Sequence, residues 1–395
     1  MRVLLMSSAE KGHLNPLVGV AQCLRDDGHH VGWLTLPEPA AQLDGLGVES
    51  LRLPGHVAAP PLVTSGAELA RMLRDEAALR GWIRMLLLDA VPGQVEPVRA
   101  ALRAFRPDRI GLDGMLYAGV IAAELERLPY VGISSALTLL EPRELDSALM
   151  RNVRALQAER QALFGSYGLN PQFRTCEALS PRANAIFATR AFVGEQADVP
   201  PATELVGPSL PKAPRGDECA FPWERLRGDR PIVYASFGSQ ISYQPELFRR
   251  IAEAAAPLGV QLVLSAGELA ENGFADTLPG DVLAVPYAPQ LQLLPRVSAF
   301  VSHGGANSVM EALWQGVPLV LLPLCNDQFV QAFFLKRAGC GVAFDDGEPG
   351  VTELREALCA CLDPHGPIRA RLQAVQASYA HADGARAAAH LVLEG

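Results

Sequence analysis

The sequence has no long run of apolar residues. Its longest apolar stretches, such as VPLVLLPLC at 317–325, fall far short of the ~20 residues that a membrane-spanning helix requires. The apolar core VLLM at 3–6 is likewise shorter than the ~7–15 residues of a secretory signal. These absences predict a protein that has no membrane span and stays in the cytoplasm.

Positive charge and paired cysteines are also scarce. The 34 Lys and Arg residues are outnumbered by 43 Asp and Glu residues, which gives a net charge of -9. A protein of this charge does not attract a polyphosphate backbone, so we expect no nucleic-acid partner. The seven cysteines are scattered and form no C-x-x-C pair, so we interpret them as reduced thiols rather than disulfides or zinc ligands.

Apolar residues, in contrast, are abundant and occur in short alternating segments. They make up 49% of the 395-residue chain, which is enough for two to three domains of ~100–200 residues each. The apolar run 3–6 precedes a helix-start pattern at Asn15 and Pro16, and a second apolar run follows at 31–36. This order predicts a strand, a helix capped by Asn15, and a second strand. The alternation continues through 107–134 and favours a doubly wound parallel sheet.

A proline-rich segment between residues 199 and 231 divides the chain into two such halves. After it, we expect strands at 232–236, 260–264, 282–285, 299–302 and 317–322, and helices near 244–256, 307–315, 327–338 and 352–362. The result is an α/β protein with two similar domains facing each other across a cleft. The expected division is an N-terminal domain at 1–207, a linker at 208–230, a C-terminal domain at 231–375 and a last helix at 376–395 that can cross back.

The most specific pattern in the second half joins a glycine-rich turn to a helix start. The segment HGG at 303–305 ends an expected strand, and Asn307 and Ser308 open the helix that follows. Free backbone N–H groups at a helix start, beside glycines that admit a ligand, favour a phosphate or diphosphate. Glu311 lies one turn into the helix, where its carboxylate can accept hydrogen bonds from a ribose diol. The alternative is a capping box between Ser308 and Glu311 that contacts no ligand.

From Tyr287 to Gln328, the sequence resembles the signature of family 1 glycosyltransferases, the UDP-glycosyltransferases of the GT-B fold. This stretch includes YAPQ at 287–290, the HGG turn and the closing DQ at 327–328. Looser matches are GHLNP at 12–16, VGP at 206–208 and SFGS at 236–239. The resemblance implies two Rossmann-like doubly wound domains. The nucleotide sugar would bind to the C-terminal domain and the acceptor to the N-terminal domain.

Carried over residue by residue, the resemblance implies a donor site in three parts. The base and ribose would be held by Tyr287, stacked on uracil, by the backbone of Ala288, and by Gln290 and Glu311. The diphosphate would be bound by His303, Gly305, Asn307, Ser308 and Ser239. The sugar hydroxyls would meet Asp327 and Gln328. This set favours a UDP-hexose, with glucose preferred. Plant members have Trp where this chain has Tyr287, so a TDP-deoxysugar donor, as in antibiotic glycosylation, is the alternative.

His13 and Asp113 form the candidate catalytic pair. Each lies near the end of an expected strand, at the edge of a parallel sheet where open α/β folds bind ligands. By position alone, His13 can equally be a surface loop residue and Asp113 a helix N-cap. The resemblance implies that His13 is the general base of an inverting displacement and that Asp113 orients it. The chain contains no D-x-D motif, so we expect no metal requirement.

The acceptor-binding residues are not assigned from the sequence. Two segments, 54–95 and 134–180, are apolar enough to form either a ligand pocket or an ordinary core. Their aromatic residues include Trp82, Phe164, Tyr167 and Phe173. We expect a lipophilic acceptor such as a polyketide, a phenolic compound or a carotenoid, as in secondary-metabolite biosynthesis.

Three other functions fit parts of this pattern. A nucleotide-sugar 2-epimerase shares the architecture but does not need His13 with Asp113. A non-catalytic partner of another transferase is expected to have lost the base or the diphosphate residues, and both sets are present. An NAD dehydrogenase requires a strand that runs into G-x-G-x-x-G, which is absent here. We therefore expect a glycosyltransferase that is a monomer or homodimer and uses a nucleotide sugar as co-substrate, without a further cofactor.

Overall fold

A computed structural model describes residues 1–36, 40–53, 66–72, 75–140, 142, 144–345 and 348–395. The strands of the N-terminal half are β1 (Arg2–Ser8), β2 (His30–Leu36), β3 (Glu49–Leu51), β4 (Arg109–Leu112), β5 (Tyr130–Ser134), β6 (Phe173–Arg174), β7 (Glu177–Ala178), β8 (Asn184–Ile186) and β9 (Thr203–Leu205). Its helices are α1 (Lys11–Asp26), α2 (Gly66–Met72), α3 (Glu76–Arg84), α4 (Val91–Phe105), α5 (Tyr117–Leu125), α6 (Ala148–Ala155), α7 (Gln157–Ser166) and α8 (Arg190–Val193), with a π-helical segment at Met85–Asp89.

The C-terminal half repeats the alternation. Its strands are β10 (Ile232–Ser236), β11 (Gln261–Ser265), β12 (Asp281–Val285), β13 (Ala299–Ser302), β14 (Leu319–Leu321) and β15 (Gly341–Ala343). Its helices are α9 (Pro245–Ala255), α10 (Gln290–Leu293), α11 (Ala306–Gln315), α12 (Gln328–Ala338), α13 (Val351–Leu362), α14 (Pro367–Ala380) and α15 (Gly384–Glu394). Among the described residues, no helix combines the length and the hydropathy needed to cross a bilayer.

Both large sheets are parallel and share one topology. The first runs β3-β2-β1-β4-β5-β8-β9 and the second runs β12-β11-β10-β13-β14-β15. The strand order therefore reverses between β1 and β4 in the first sheet, and between β10 and β13 in the second. Open α/β sheets bind ligands beyond the carboxyl ends of the strands at such a switch point. The predicted doubly wound α/β fold is confirmed, and its two switch points determine where a site can form.

The β1 strand is buried on both faces, as its continuous apolar run predicts. Successive side chains of a strand point to opposite faces. Val3 and Leu5 accordingly pack in the cluster that includes α1 and α15, whereas Leu4 and Met6 pack with α4 and α5. This two-sided packing holds the end of β1, and the turn that follows it, in a defined place.

Helix α1 begins earlier than the sequence predicts. It begins at Lys11, so Pro16 lies inside the helix and His13 is in its first turn rather than in a loop. Asn15 does not cap the helix; its Oδ1 atom accepts a hydrogen bond from the Gln42 side chain at 2.9 Å. Because proline has no N–H, the Gly12 carbonyl four residues before Pro16 has no helical donor. That carbonyl becomes available to another part of the molecule.

Helix α15 packs against the N-terminal sheet. The Arg109 Nε atom donates to the Leu393 carbonyl at 3.1 Å, and an Arg386–Asp27 ion pair of 2.5 Å joins α15 to the end of α1. The expected boundary at residue 376 falls inside α14, which ends at Ala380. We keep the division into domains at 1–207 and 231–375 as a proposal.

A glycine at the start of α15 permits this docking, and its replacement should destabilise the protein. A Cβ atom added at Gly384 would lie 2.1 Å from the Gly207 carbonyl oxygen and 2.7 Å from that of Pro208. Since both atoms belong to the backbone, the clash cannot be relieved by a side-chain rotation. We expect Gly384→Ala to lower the free energy of unfolding by roughly 1–3 kcal/mol, measured by urea denaturation.

Gly165 in α7 is the matched control. A Cβ atom added there meets no atom within 4 Å. Gly165→Ala should be neutral or stabilising by up to about 1 kcal/mol, because alanine favours the helix. Equal denaturation midpoints for the two variants would contradict the close backbone approach at Gly384.

Candidate active site

His13 and Asp113 meet at the switch point of the first sheet. His13 lies in the first turn of α1, just after β1, and Asp113 directly follows β4, the neighbouring strand. The Nδ1 atom of His13 is 2.5 Å from Oδ2 of Asp113. The Asp113 side chain is 3% exposed, and the His13 side chain is 20% exposed. The carboxylate is thus buried beneath an imidazole whose Nε2 atom is directed away from it.

Asp113 does not cap the next helix. Its Oδ1 atom accepts a hydrogen bond from the N–H of Met115 at 2.9 Å, whereas α5 begins only at Tyr117. The N–H of Asp113 also donates to the Met6 carbonyl at 3.0 Å, which holds the turn beside β1. The N-cap interpretation is therefore wrong, and the two carboxylate oxygens are divided between a backbone donor and the imidazole.

The Asp113 carboxylate favours the protonated form of the His13 imidazole. Burial alone would lower the pKa of the imidazole, but the negative charge of Asp113 and its hydrogen bond raise the pKa of His13 to about 10. Glu10 and Asp327 act in the same direction. Without substrate, His13 is consequently an imidazolium at neutral pH, and its base form becomes abundant only in alkaline solution.

Ser135 is a neighbour of His13 that the sequence analysis did not identify. Its Oγ atom lies 3.0 Å from His13 Nδ1, the atom that also faces Asp113. Ser135 directly follows β5, the strand beside β4. Its position just after β5 could have indicated it, because residues that directly follow the central strands of a doubly wound sheet lie at one edge of that sheet.

Glu177 is a second buried carboxyl group near the pair, and it was also missed. Its Oε1 atom accepts hydrogen bonds from Ser134 Oγ at 2.7 Å and from the Thr138 hydroxyl. Burial and the charge of Asp113 raise the pKa of Glu177 to about 7, although these hydrogen bonds oppose the shift. No pattern in the sequence indicates this residue, since β7 is only two residues long.

The start of α11 lies at the switch point of the second sheet. The chain passes from β13 to α11 through His303, Gly304 and Gly305, and Gly305 is the N-cap. A Cβ atom at Gly305 would lie 2.6 Å from the His303 ring, and one at Gly238, after β10, would lie 2.9 Å from it. Gly238 also has a φ of 77°. These glycines admit the His303 ring between the two loops, and the exposed Ser239 follows in the same turn.

His303 is neutral at physiological pH. Burial lowers its pKa to about 4, and a hydrogen bond to the Ser236 backbone only partly opposes this. A neutral imidazole offers a diphosphate a hydrogen bond but no positive charge. Electrostatic attraction at this point would therefore come from the N-terminus of α11.

Glu311 and Gln290 come together, and Arg215 joins them. Gln290 Nε2 donates to Glu311 Oε2 at 2.7 Å and lies 3.4 Å from Ser308 Oγ. Arg215 Nη1 donates to Glu311 Oε1 at 2.6 Å. Because Gly305 is the N-cap of α11, Ser308 is already inside the helix. The capping-box interpretation of Ser308 and Glu311 is therefore wrong.

Tyr287 contacts residues from outside the C-terminal sheet. Its hydroxyl donates to Asp217 Oδ2 at 2.7 Å, and the Lys11 Nζ atom lies 3.9 Å from the centre of its ring. Ala288, next in the chain, is buried. Burial lowers the pKa of Lys11, while the charge of Asp217 opposes that shift. Lys11 and Asp217 are further members of the site that the sequence analysis did not identify.

Asn307 connects α11 to the turn that carries His13. Its Nδ2 atom donates to the carbonyls of Gly12 at 3.1 Å and of Lys11 at 3.2 Å. The Gly12 carbonyl is the one that Pro16 leaves without a helical donor. The side chain of Asn307 thus bridges the two halves of the molecule, directly beside the His13–Asp113 pair.

Comparisons with known proteins agree with this arrangement. A family model described as UDP-glucoronosyl and UDP-glucosyl transferase matches residues 208–367. NDP-glycosyltransferase YjiC of Bacillus subtilis (strain 168) is 25% identical over 379 residues, which cover 96% of this chain and 93% of YjiC. These matches identify the chain as a glycosyltransferase similar to the family 1 enzymes.

Two further comparisons show similarity over nearly the whole chain. Oleandomycin glycosyltransferase of Streptomyces antibioticus is 27% identical, over 99% of this chain and 90% of that protein. The solved structure of spinosyn rhamnosyltransferase SpnG complexed with thymidine diphosphate superimposes with a TM-score of 0.73 and 20% identity, and all of both chains is covered. The fold of this glycosyltransferase is accordingly GT-B, and its donor substrate is a nucleotide-activated sugar.

The closing Asp327 and Gln328 of this glycosyltransferase differ in their surroundings. Gln328 Oε1 accepts hydrogen bonds from the N–H groups of Leu324 at 2.8 Å and Cys325 at 3.0 Å, so its amide holds the loop before α12. Asp327 is the N-cap residue of α12. Burial raises the pKa of Asp327, and the charge of His13 acts against that shift. Asp327 is thus electrostatically coupled to His13, on the opposite side of the cleft.

The aromatic residues proposed for an acceptor pocket of the glycosyltransferase belong largely to its core. Phe164 is buried and packs edge-to-face against Tyr117 and Phe173. Trp82 and Tyr167 are partly buried against the same cluster. The core interpretation is therefore correct for Phe164, and residues 54–65 of the proposed segment lie outside the described residues. A cavity between the two halves is lined by Pro16, Ser135, Leu137, Phe187, Phe192, Asn307 and Met310, among others.

Within the described parts of the glycosyltransferase, no group of three or more His, Cys, Asp or Glu side chains is placed to hold a metal ion. The acidic residues of the site have other partners. Asp113 contacts His13, and Glu311 contacts Arg215 and Gln290.

Proposed function

We propose that this protein is an inverting glycosyltransferase that moves a hexose, with glucose preferred, from a nucleoside diphosphate to a hydroxyl group of a lipophilic small molecule. His13 is the general base and Asp113 its partner. The observation that carries the proposal is the 2.5 Å contact between His13 Nδ1 and Asp113 Oδ2 at the switch point of the first sheet, across the cleft from α11.

The geometry suits a single displacement. Asp113 engages Nδ1, so Nε2 is the atom that takes the proton from the acceptor hydroxyl. The acceptor oxygen forms a bond to the anomeric carbon as the bond from that carbon to the diphosphate breaks. The nucleoside diphosphate leaves with both bonding electrons, and the N–H groups at the start of α11 stabilise its negative charge. Attack from the opposite face inverts the anomeric centre.

The remaining residue roles in the proposal are those that the resemblance to family 1 glycosyltransferases implies. Tyr287 with Ala288 would hold the base, Gln290 and Glu311 the ribose, and Asp327 the sugar. The acceptor would be a polyketide, a phenolic compound or a carotenoid, in antibiotic or other secondary metabolism, and the similarity to oleandomycin glycosyltransferase supports the antibiotic alternative. The nucleoside of the donor is uridine or thymidine, since the matching family is named for UDP-sugars and the SpnG structure holds thymidine diphosphate. We propose a monomer or homodimer that requires no metal.

Titration calorimetry and a transfer assay test this proposal. UDP, UDP-glucose, UDP-N-acetylglucosamine, TDP and TDP-glucose should be titrated with and without EDTA, and a panel of lipophilic hydroxyl compounds then tested for gain of one hexose by mass spectrometry. We expect binding of at least one nucleotide sugar, and transfer that EDTA leaves unchanged. Absence of binding by all five ligands would overturn the donor assignment. Loss of transfer in EDTA would overturn the metal-independent mechanism.

The activity should increase with pH through the neutral range. The base must be unprotonated, and the neighbouring Asp113 carboxylate raises the pKa of His13 to about 10. The free enzyme therefore holds more of the active form as the pH rises. We expect kcat/KM to increase about tenfold per pH unit below that pKa and to level off near pH 10. A flat profile between pH 7 and 9 would show that His13 is not the titrating base.

A further inference from the structure

Lys11 differs from the other lysines of the chain in its charge partner. The chain has three lysines, at positions 11, 212 and 336. Lys212 pairs with Asp383 at 2.9 Å and Lys336 with Asp345 at 2.7 Å. Among the residues that the structure describes, no carboxylate oxygen lies within 4.0 Å of the Lys11 Nζ atom. The positive charge of Lys11 is therefore available to an anion that enters the cleft.

The ammonium group of Lys11 covers the ring of Tyr287, on which the nucleobase is proposed to stack. The Nζ atom lies 3.9 Å from the centre of that ring, in a cation–π contact. Lys11 belongs to the first turn of α1, so it reaches the ring from the N-terminal half, across the cleft. A base that stacks on this face of Tyr287 must displace the ammonium group. The flexible four-carbon stem of lysine permits that movement.

The backbone of Lys11 lies beside the position proposed for the diphosphate. The Lys11 carbonyl accepts a hydrogen bond from Asn307 Nδ2 at 3.2 Å, and the Gly12 carbonyl accepts one from the same atom at 3.1 Å. Asn307 is two residues after Gly305, the N-cap of α11. The side chain of Lys11 can therefore turn from the Tyr287 ring to the start of α11 while its backbone stays in place.

The diphosphate position has little positive charge of its own. Burial lowers the pKa of His303 to about 4, so its imidazole is neutral. The N-terminus of α11 supplies only about half of an elementary charge, which is less than a diphosphate carries. The nearby Arg215 guanidinium already pairs with Glu311 and Asp217, each at 2.6 Å. Lys11, in contrast, can form a new ion pair there.

We propose that Lys11 is a diphosphate-binding residue that the N-terminal half contributes to the donor site. Its ammonium group leaves the Tyr287 ring when the nucleobase stacks there, and it then pairs with the diphosphate. The proposal rests on the donor-site assignment made under the proposed function. The same ion pair stabilises the negative charge of the leaving diphosphate. Because Lys11 and His13 share the first turn of α1, it also holds the base against the donor.

The experiment separates nucleobase binding from diphosphate binding. Uridine, UDP, thymidine and TDP are titrated by calorimetry into the full-length wild type, Lys11→Met and Lys336→Met. Methionine keeps a long apolar side chain and removes the charge. Lys336→Met is the matched control, because it removes the same charge from a surface pair whose Asp345 side chain is 91% exposed. The readout is the ratio Kd(diphosphate)/Kd(nucleoside) for the nucleoside that the wild type binds.

We expect Lys11→Met to raise the Kd of the diphosphate about tenfold or more, the size of one charge-assisted hydrogen bond. The Kd of the nucleoside should stay the same or decrease, because the Tyr287 ring is then uncovered. Lys336→Met should keep the wild-type ratio. Should Lys11→Met not fold, Lys11→Gln, which keeps a polar tip without the charge, should raise the ratio in the same direction.

Two results would count against the proposal in different ways. An unchanged ratio in the folded Lys11 variant, including equal weakening of nucleoside and diphosphate, would overturn the role of Lys11 and leave the glycosyltransferase assignment intact. Failure of the wild type to bind any of the four ligands would instead overturn the donor site, and this proposal with it.

Discussion

His13→Ala should reduce sugar transfer by about 10²–10⁴-fold, the usual contribution of a general base. The alanine side chain cannot take the acceptor proton, so the attacking oxygen would remain a poor nucleophile. Nucleotide binding should persist, because the donor-site residues and α11 are unchanged. The measurement is kcat for transfer together with the calorimetric Kd for the nucleotide that the wild type binds.

His30→Ala is the control for this variant. His30 also pairs with a carboxylate, Glu49, at 2.6 Å, but the pair is about half exposed and lies at the amino end of β2. Its replacement should leave kcat unchanged. Near-normal turnover by His13→Ala would exclude His13 as the base. Equal loss of nucleotide affinity and kcat would instead indicate that the variant had disturbed the whole turn.

Asp113→Asn should reduce transfer by up to about 10⁴-fold, although the asparagine side chain has nearly the same shape as the aspartate side chain. The Met115 N–H donates to one oxygen of Asp113, so the asparagine would keep its oxygen there and turn its NH₂ group toward His13 Nδ1. Nδ1 would then have to accept a hydrogen bond, which places the ring proton on Nε2. The nitrogen that should receive the acceptor proton would already be occupied.

The pH profile separates this effect from simple misfolding. The charge of Asp113 is what raises the pKa of His13 to about 10, so its removal should lower that pKa and shift the rise of kcat/KM to more acidic pH. Asp108→Asn is the control, because Asp108 lies just before β4, at the opposite end from Asp113, and accepts from the Arg2 N–H at 2.7 Å. An Asp113→Asn profile with the wild-type inflection would contradict the pairing.

Much of the fold was predictable because strands and helices of this protein are set by local patterns. The strands at 232–236 and 299–302 and the helix at 352–362 match β10, β13 and α13 within a residue. The start of α1 was not predictable in this way. Asn15 and Pro16 form a good local start signal, yet α1 begins at Lys11, where tertiary contacts use the carbonyl that Pro16 frees.

The candidate site also contains residues that local sequence predicts and residues that only tertiary contacts bring to it. His13, Asp113 and Glu311 were predicted from motif and position, and the structure places His13 against Asp113 and Glu311 against Gln290, while their roles stay predictions. Ser135 and Arg215 were not found, because each contacts the site from a segment far away in the chain. The distance along the chain between Arg215 and Glu311 carries no periodic or spacing signal.

An α/β protein with two doubly wound halves was predictable from the sequence alone, as were the turns proposed to carry the chemistry, because hydrophobic period, glycine and helix-start residues act over a few neighbours. The contacts of those residues, in contrast, become visible only in the folded protein. Whether Ser308 caps a helix, whether Glu311 is free or bound to Arg215, and where Asn307 directs its amide all depend on surfaces that meet after the sheets have formed. Hydrogen bonds and ion pairs form only between atoms that are close in space, and residues far apart in the sequence become close only when the chain folds.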